Sequence, residues 1–119
     1  MKTRAWLTVA VSAAAGASVW AFSPLLAGHP EPWDADGHFY LVALVVAGAV
    51  AGLLVPRPHW AHYLGALVGQ LSYEALFLPI GPLFVLGAAF LLGYSLIFLV
   101  AAALAAFVRV RLDSRSSQV

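Results

Sequence analysis

Four long apolar stretches, separated by short polar ones, set the pattern of this chain. They cover residues 5–27, 39–55, 60–78 and 82–108. None shows the alternation of apolar and polar positions that a membrane barrel strand requires. A helix needs about 20 apolar residues to cross the hydrocarbon layer, with a range of about 17–25. The pattern therefore predicts an all-α integral membrane protein, a single domain folded as a compact antiparallel bundle of four transmembrane helices.

The prolines lie at or near the ends of these stretches, which agrees with the predicted helix borders. Proline lacks an amide donor and clashes with the preceding helical turn, so a helical chain accommodates it best at its ends. The connections are therefore predicted at His29–His38, at Pro56–His59 and at a tight Pro79–Pro82 turn.

The composition agrees with a membrane location. Hydrophobic residues make up 63% of the 119 positions and charged residues only 9%, and the mean hydropathy is +0.93. Soluble domains have about 45–50% apolar and about 25% charged residues, so this chain has too little polar surface to cover a water-soluble core. It contains no Cys, which excludes disulfides and thiol chemistry.

The distribution of charge predicts the orientation. All six basic residues precede the first stretch, separate the second from the third, or follow the fourth: Lys2, Arg4, Arg57, Arg109, Arg111 and Arg115. They therefore share one side of the membrane, which the positive-inside rule makes cytoplasmic. We expect both termini in the cytoplasm, residues 109–119 as a cytoplasmic tail, and a bacterial inner membrane as the location. No basic surface remains for nucleic acid.

The first stretch has a second interpretation, because basic residues followed by an apolar run also resemble a signal peptide. The run from Ala5 to Gly28 is about twice the length of a normal signal-peptide core. No convincing small-residue cleavage site precedes the acidic loop. We therefore expect a retained helix.

Two ionisable residues lie within the third apolar stretch. His62 is near its start, whereas Glu74 is well inside it. At about 1.5 Å per residue it lies about 7 Å below the outer end of the third helix. Gln70 lies one turn earlier on the same face, and Tyr94 and Ser95 of the fourth helix are predicted near the depth of Gln70. The candidate intramembrane polar seam is therefore Gln70, Tyr73, Glu74, Tyr94 and Ser95. Two interpretations stay open: a neutral, hydrogen-bonded Glu that joins helices, or a protonatable or cation-binding group. The shallow depth favours the first.

Other polar clusters have simpler explanations. In the outer loop, Asp34 or Asp36 is predicted to cap the second helix, with a weak divalent-cation site involving His29 and His38 as the alternative. His59 and His62 lie on one helix face without a third ligand, so they are interpreted as interfacial anchors rather than a metal site. We expect no metal and no cofactor.

Two pairs of small residues are candidates for close helix packing. Gly48 and Gly52 are four residues apart in the second stretch, and Gly65 and Gly69 in the third. Such pairs let helix backbones approach closely, but the sequence does not tell whether the neighbour is the same chain or another copy.

These observations favour a structural or accessory membrane subunit that packs against copies of itself or another membrane protein. No phosphate-binding loop, nucleophile motif or pair of catalytic carboxylates occurs, so an enzyme is not expected. The alternative is a small oligomeric transporter or ion pathway that uses Glu74. In size and number of spans the chain resembles small multidrug-resistance transporters and fluoride channels. The multidrug-resistance family carries an essential acid in its first helix, and residues 5–28 contain none. The fluoride channels use polar and basic residues within their spans, and here every Lys and Arg lies outside the spans. We therefore assign no functional residue from either family.

Overall fold

The computed structural model describes residues 2–28, 38–77 and 82–117, and its regular structure is helical. Four α-helices and no strand occur in these ranges: α1 Lys2–Ala27, α2 Phe39–Leu54, α3 His59–Phe77 and α4 Pro82–Ser117. The predicted all-α chain of four helices is confirmed. The acidic loop at 29–37 and the turn at 79–81, with their predicted caps and ligands, lie outside the described residues.

The helix ends follow from local chemistry. Gly28 donates its N–H to the carbonyl of Pro24 at 3.2 Å, and this bond ends α1. Its φ is 76°, a backbone conformation that glycine adopts without strain. Val55 is extended because Pro56 follows it. Pro82 opens α4, where its missing amide proton leaves no intrahelical bond unmade.

The fourth helix runs past its predicted end at residue 108 and continues to Ser117. It contains no Gly or Pro between residues 94 and 117, and Arg109 pairs with Asp113 one turn later at 3.8 Å. The Arg109 guanidinium also donates to the carbonyls of Leu53 and Leu54, at 2.6 and 2.8 Å. It thereby caps the C-terminus of α2, where the helix dipole favours a cation.

The tightest packing joins helices that are two apart in the chain. α1 lies along α3 and α2 lies along α4, while α1 with α2 and α3 with α4 pack less extensively. Residue numbers rise together across both tight interfaces, so the paired helices run in the same direction. Within the described residues, α1 and α4 make no close backbone contact.

Glycine makes the α2–α4 approach possible. A methyl group built on Gly48 would lie 2.5 Å from the carbonyl oxygen of Phe98, and one on Gly52 would lie 2.8 Å from the carbonyl carbon of Ala102. Both distances are too short for real atoms, so the helix backbones touch where these side chains are absent.

Glycine also allows the close approach of α1 and α3. A methyl group on Gly65 would lie 2.5 Å from the carbonyl oxygen of Val9, and one on Gly69 would lie 2.7 Å from the Cα of Ala13. The two small-residue pairs are therefore in contact within one chain. They are not open on the outer surface.

Length and composition alone identify two candidate membrane spans among the described residues, Ala5–Leu26 and Phe84–Ser114. The first of these also fits a signal sequence, and core helices of soluble proteins pass the same test. α2 is apolar but has only 16 residues, and α3 carries polar residues that lower its hydropathy. Two of the four predicted spans thus meet this criterion, and the four-span bundle stays a prediction.

Gly52→Ala is expected to destabilise the fold by about 1–3 kcal/mol, because its methyl group would overlap the α4 backbone. Gly93→Ala is the matched control, since a methyl group there meets nothing within 4 Å. It should be neutral or stabilise by up to about 1 kcal/mol through helix propensity. Unfolding free energies of both variants in bicelles, measured by steric trapping, check this. Equal effects would contradict the close α2–α4 contact.

Candidate functional site

One face of α3 carries polar groups into the centre of the helix bundle. Residues at four-residue intervals form this α3 polar face: His62, Ala66, Gln70 and Glu74. The first three are fully buried and Glu74 is 4% exposed. A spacing of four residues keeps side chains on one side of a helix, so the face extends from the α2–α3 connection almost to the end of α3.

α1 covers this face in a regular parallel register. Ser12 bonds to His62 and Trp20 bonds to Gln70, and both pairs are 50 positions apart in the chain. Gly16 packs against Ala66 at the same offset, where a methyl group would lie 3.1 Å from the Ala66 carbonyl oxygen. The small residue between two polar ones lets α1 approach closely enough for both hydrogen bonds to form.

Gln70 joins all four helices through its side-chain amide. Its Oε1 accepts hydrogen bonds from Trp20 Nε1 of α1, at 3.0 Å, and from the Tyr40 hydroxyl of α2. Its Nε2 donates to Ser95 Oγ of α4 at 3.3 Å and to the Ala66 carbonyl at 3.2 Å. We call Trp20, Tyr40, Gln70 and Ser95 the Gln70 cluster. Each member is at most 5% exposed, so the amide replaces solvent for donors that would otherwise be costly to bury.

Aromatic contacts hold the Tyr40 ring of the Gln70 cluster in place. The Tyr40 ring packs edge-on against Trp20, with centroids 6.4 Å apart at an interplanar angle of 85°. On its other side it packs against Tyr94, with centroids 4.6 Å apart at 52°. Edge-to-face and tilted contacts of this kind are favourable beyond the area that they bury, and they fix the direction of the Tyr40 hydroxyl.

Glu74 lies one turn beyond Gln70, towards the C-terminal end of α3. Its side chain is buried, and its carboxyl interacts electrostatically with Tyr40, a member of the Gln70 cluster. Phe77, where α3 ends, is only three positions further along the chain. The carboxyl group therefore combines a polar, enclosed setting with a short distance to the helix end.

The structure brings most of the predicted seam together. Ser95 accepts a hydrogen bond from Gln70, and the Tyr94 ring packs against Tyr40, which is itself bonded to Gln70. Tyr73 differs: it is half-buried, and its ring packs on Phe77 at 4.8 Å. Whether these residues carry a function stays a prediction.

A second polar cluster lies at the opposite end of the α3 polar face. Ser12 Oγ and His62 Nδ1 are 2.8 Å apart, and Thr8 Oγ1 donates to the Arg57 carbonyl at 2.7 Å. His62 is fully buried, so its interpretation as an interfacial anchor is wrong, whereas His59 is exposed. Burial of this imidazole is possible because Ser12 of α1 supplies a hydrogen-bond partner.

The sequence interpretation missed the α1 contribution altogether. Buried polar side chains of α1 include Thr8, Ser12, Trp20 and Ser23. A signal was present, since Thr8, Ser12, Gly16 and Trp20 repeat every four residues. This spacing marks one helix face and matches the spacing of the α3 polar face.

The described residues contain no group of three His, Cys, Asp or Glu side chains placed to hold a metal ion. The buried ionisable side chains on the α3 polar face are the His62 imidazole and the Glu74 carboxyl group. Comparison of the chain with protein-family models, curated proteins and solved structures gave no match.

Tyr40→Phe is expected to destabilise the protein by about 0.5–2 kcal/mol, because it removes a buried donor from Gln70 while keeping the ring. Tyr73→Phe is the matched control, since the Tyr73 hydroxyl makes no hydrogen bond among the described residues. The free energies of unfolding in bicelles check the pair. A control as costly as Tyr40→Phe would show that the Gln70 cluster contributes nothing specific.

Proposed function

We propose that this chain is an integral membrane protein in which all four helices span the bilayer. The observation that supports it is an inverted distribution of polarity. Large apolar side chains are exposed on every helix, with Leu25 at 78%, Leu76 at 76% and Val85 at 73%. The fully buried side chains include Ser12, His62 and Gln70. Water would penalise such an exterior, whereas lipid would not.

The two helices that fall outside the length and hydropathy criterion fit the same arrangement. The polar residues of α3 face inward, and its exposed side chains include Leu64, Val68 and Leu76, so its modest hydropathy does not weigh against lipid contact. α2 has a length of about 24 Å, which is short for a hydrocarbon layer of about 30 Å. The Arg109 guanidinium satisfies the carbonyls of Leu53 and Leu54 at its C-terminus, so this end is suited to a position near the headgroups.

Both ends of the chain are proposed to lie in the cytoplasm of a bacterial cell. Arg57 follows α2, and Arg109 of α4 donates to the carbonyls at the C-terminal end of α2. With Lys2 and Arg4 before the first stretch, the cations gather at one end of the bundle, as the positive-inside rule requires of a cytoplasmic side.

This topology predicts a clear pattern for reporter fusions. Green fluorescent protein fused after Val119 should fluoresce, because it folds in the cytoplasm. Alkaline phosphatase inserted between Glu31 and Asp36 should be active, because that loop is proposed to lie outside. An active phosphatase at the C-terminus would exclude the four-span arrangement with both termini inside.

For the biochemical role, we propose that Glu74 exchanges a proton or a small cation with the outer side of the membrane. The observation that carries this is its burial at 4% exposure beside Tyr40 and Gln70, near the outer end of α3. Ionisable side chains within a membrane are costly and usually serve a function. The packing role loses its main support, since both glycine pairs are used inside one chain.

Glu74→Gln should lower proton or cation flux in proteoliposomes by about tenfold or more, since it keeps the shape but removes the ionisable group. Asp113→Asn is the matched control, because that carboxylate is 72% exposed near the end of α4. Equal fluxes for wild type and Glu74→Gln would contradict the proposed role of Glu74.

The accessory role is the second candidate, and one observation still favours it. On α1, Ala10, Ala14 and Ser18 form an exposed face of small residues that no described helix covers. Such a face suits close packing with a second copy or with another membrane protein. Under this hypothesis Ala14→Leu should abolish a crosslinked oligomer in native membranes, and Glu74→Gln should leave it intact. A chain that is monomeric there would count against it.

A further inference from the structure

We propose that His62 is a second proton-binding site, which takes its proton from the cytoplasmic side, so that the α3 polar face carries exchangeable protons at both ends. This inference rests on the proposed role of Glu74 and extends it. His62 and Glu74 are 12 positions apart on one helix face, which corresponds to about 18 Å along the helix axis.

The hydrogen bonds of the imidazole point to this role. Nδ1 is occupied by Ser12 Oγ at 2.8 Å. Nε2 is buried and has no hydrogen-bond partner within 3.5 Å among the described residues, and the Val55 backbone interacts electrostatically with the ring. A buried polar atom without a partner is costly. A water molecule beside Nε2, or a proton on it, would remove that cost. Because the Ser12 hydroxyl can either donate to Nδ1 or accept from it, the ring can hold a proton on Nε2 as the neutral tautomer or as imidazolium.

Access is short only from one side. Val55 belongs to the connection between α2 and α3, and its neighbours Arg57 and His59 are exposed. His59 is one turn from His62 and is the titratable group that interacts with it electrostatically. α1 contributes the hydroxyls of Thr8 and Ser12, which are neutral. A proton from cytoplasmic water therefore crosses about one helical turn, or about 5 Å, to reach Nε2.

The proton balance is simple. A hydronium ion or a protonated buffer on the cytoplasmic side gives a proton to the Nε2 lone pair, and the neutral imidazole becomes imidazolium with Ser12 as an acceptor at Nδ1. The reverse step returns the proton. Between His62 and Gln70 the face offers the Ala66 carbonyl, so passage to Glu74 requires water molecules in that interval.

The test uses the full-length protein in nanodiscs with ¹⁵N-labelled histidine. The ring nitrogens of His62 should change from the neutral to the protonated pattern between pH values of about 9 and about 4. His59→Asn should retain the change, and Glu74→Gln should retain it too, because the inner site fills independently of the outer one. A ring that stays neutral over the whole range would overturn the inference.

Flux measurements separate this inference from the role of Glu74. With a pH-sensitive dye enclosed in proteoliposomes, His62→Asn should lower proton flux by about tenfold or more, whereas His59→Asn should not. Loss of flux in Glu74→Gln but not in His62→Asn would refute the inner site and leave the outer one standing. If the wild type moves no protons, the proposed function fails and the NMR titration alone decides the inner site.

Discussion

The structure depends on the side-chain amide of Gln70. An amide buried in an apolar medium must find donors and acceptors within the protein, and here α1, α2 and α4 each supply one. Because hydrogen bonds tolerate only a few tenths of an ångström, satisfying all of them at once fixes the rotation and the height of each helix. The apolar contacts around the Gln70 cluster are far less directional, so they alone would permit several registers.

Close approach of the helices makes these bonds possible. Parallel pairs, α1 with α3 and α2 with α4, touch through glycine backbones, and only at that separation does Ser12 reach His62. The same contacts bear on function. Small residues that pack within the chain are not available to hold a partner, whereas Glu74 and His62 share one enclosed helix face. The internal use of both glycine pairs therefore supports the proposed proton exchange more than the proposed packing role.

Much of the fold could be predicted from the sequence, because helix existence and borders depend on local patterns of apolar residues, prolines and glycines. Gln70, Glu74 and Ser95 could be identified as polar groups within apolar stretches. Their partners could not, since Trp20 and Tyr40 become neighbours of Gln70 only through a register of helices that no local pattern specifies. The end of α4 was missed because Arg109 was interpreted as the start of a tail, while its guanidinium caps a distant helix.

In the proposed arrangement α2 and α3, as well as the two longer helices, present their apolar faces to lipid. Spin labels on single cysteines test it directly, since the chain has no native Cys. Labels at Val46 and Val68, both exposed, should collide often with dissolved oxygen and rarely with a water-soluble nickel complex, as should a reference label at Val100. Frequent collisions with the nickel complex at Val46 and Val68 would mean that these faces meet water, and the four-span account would be wrong.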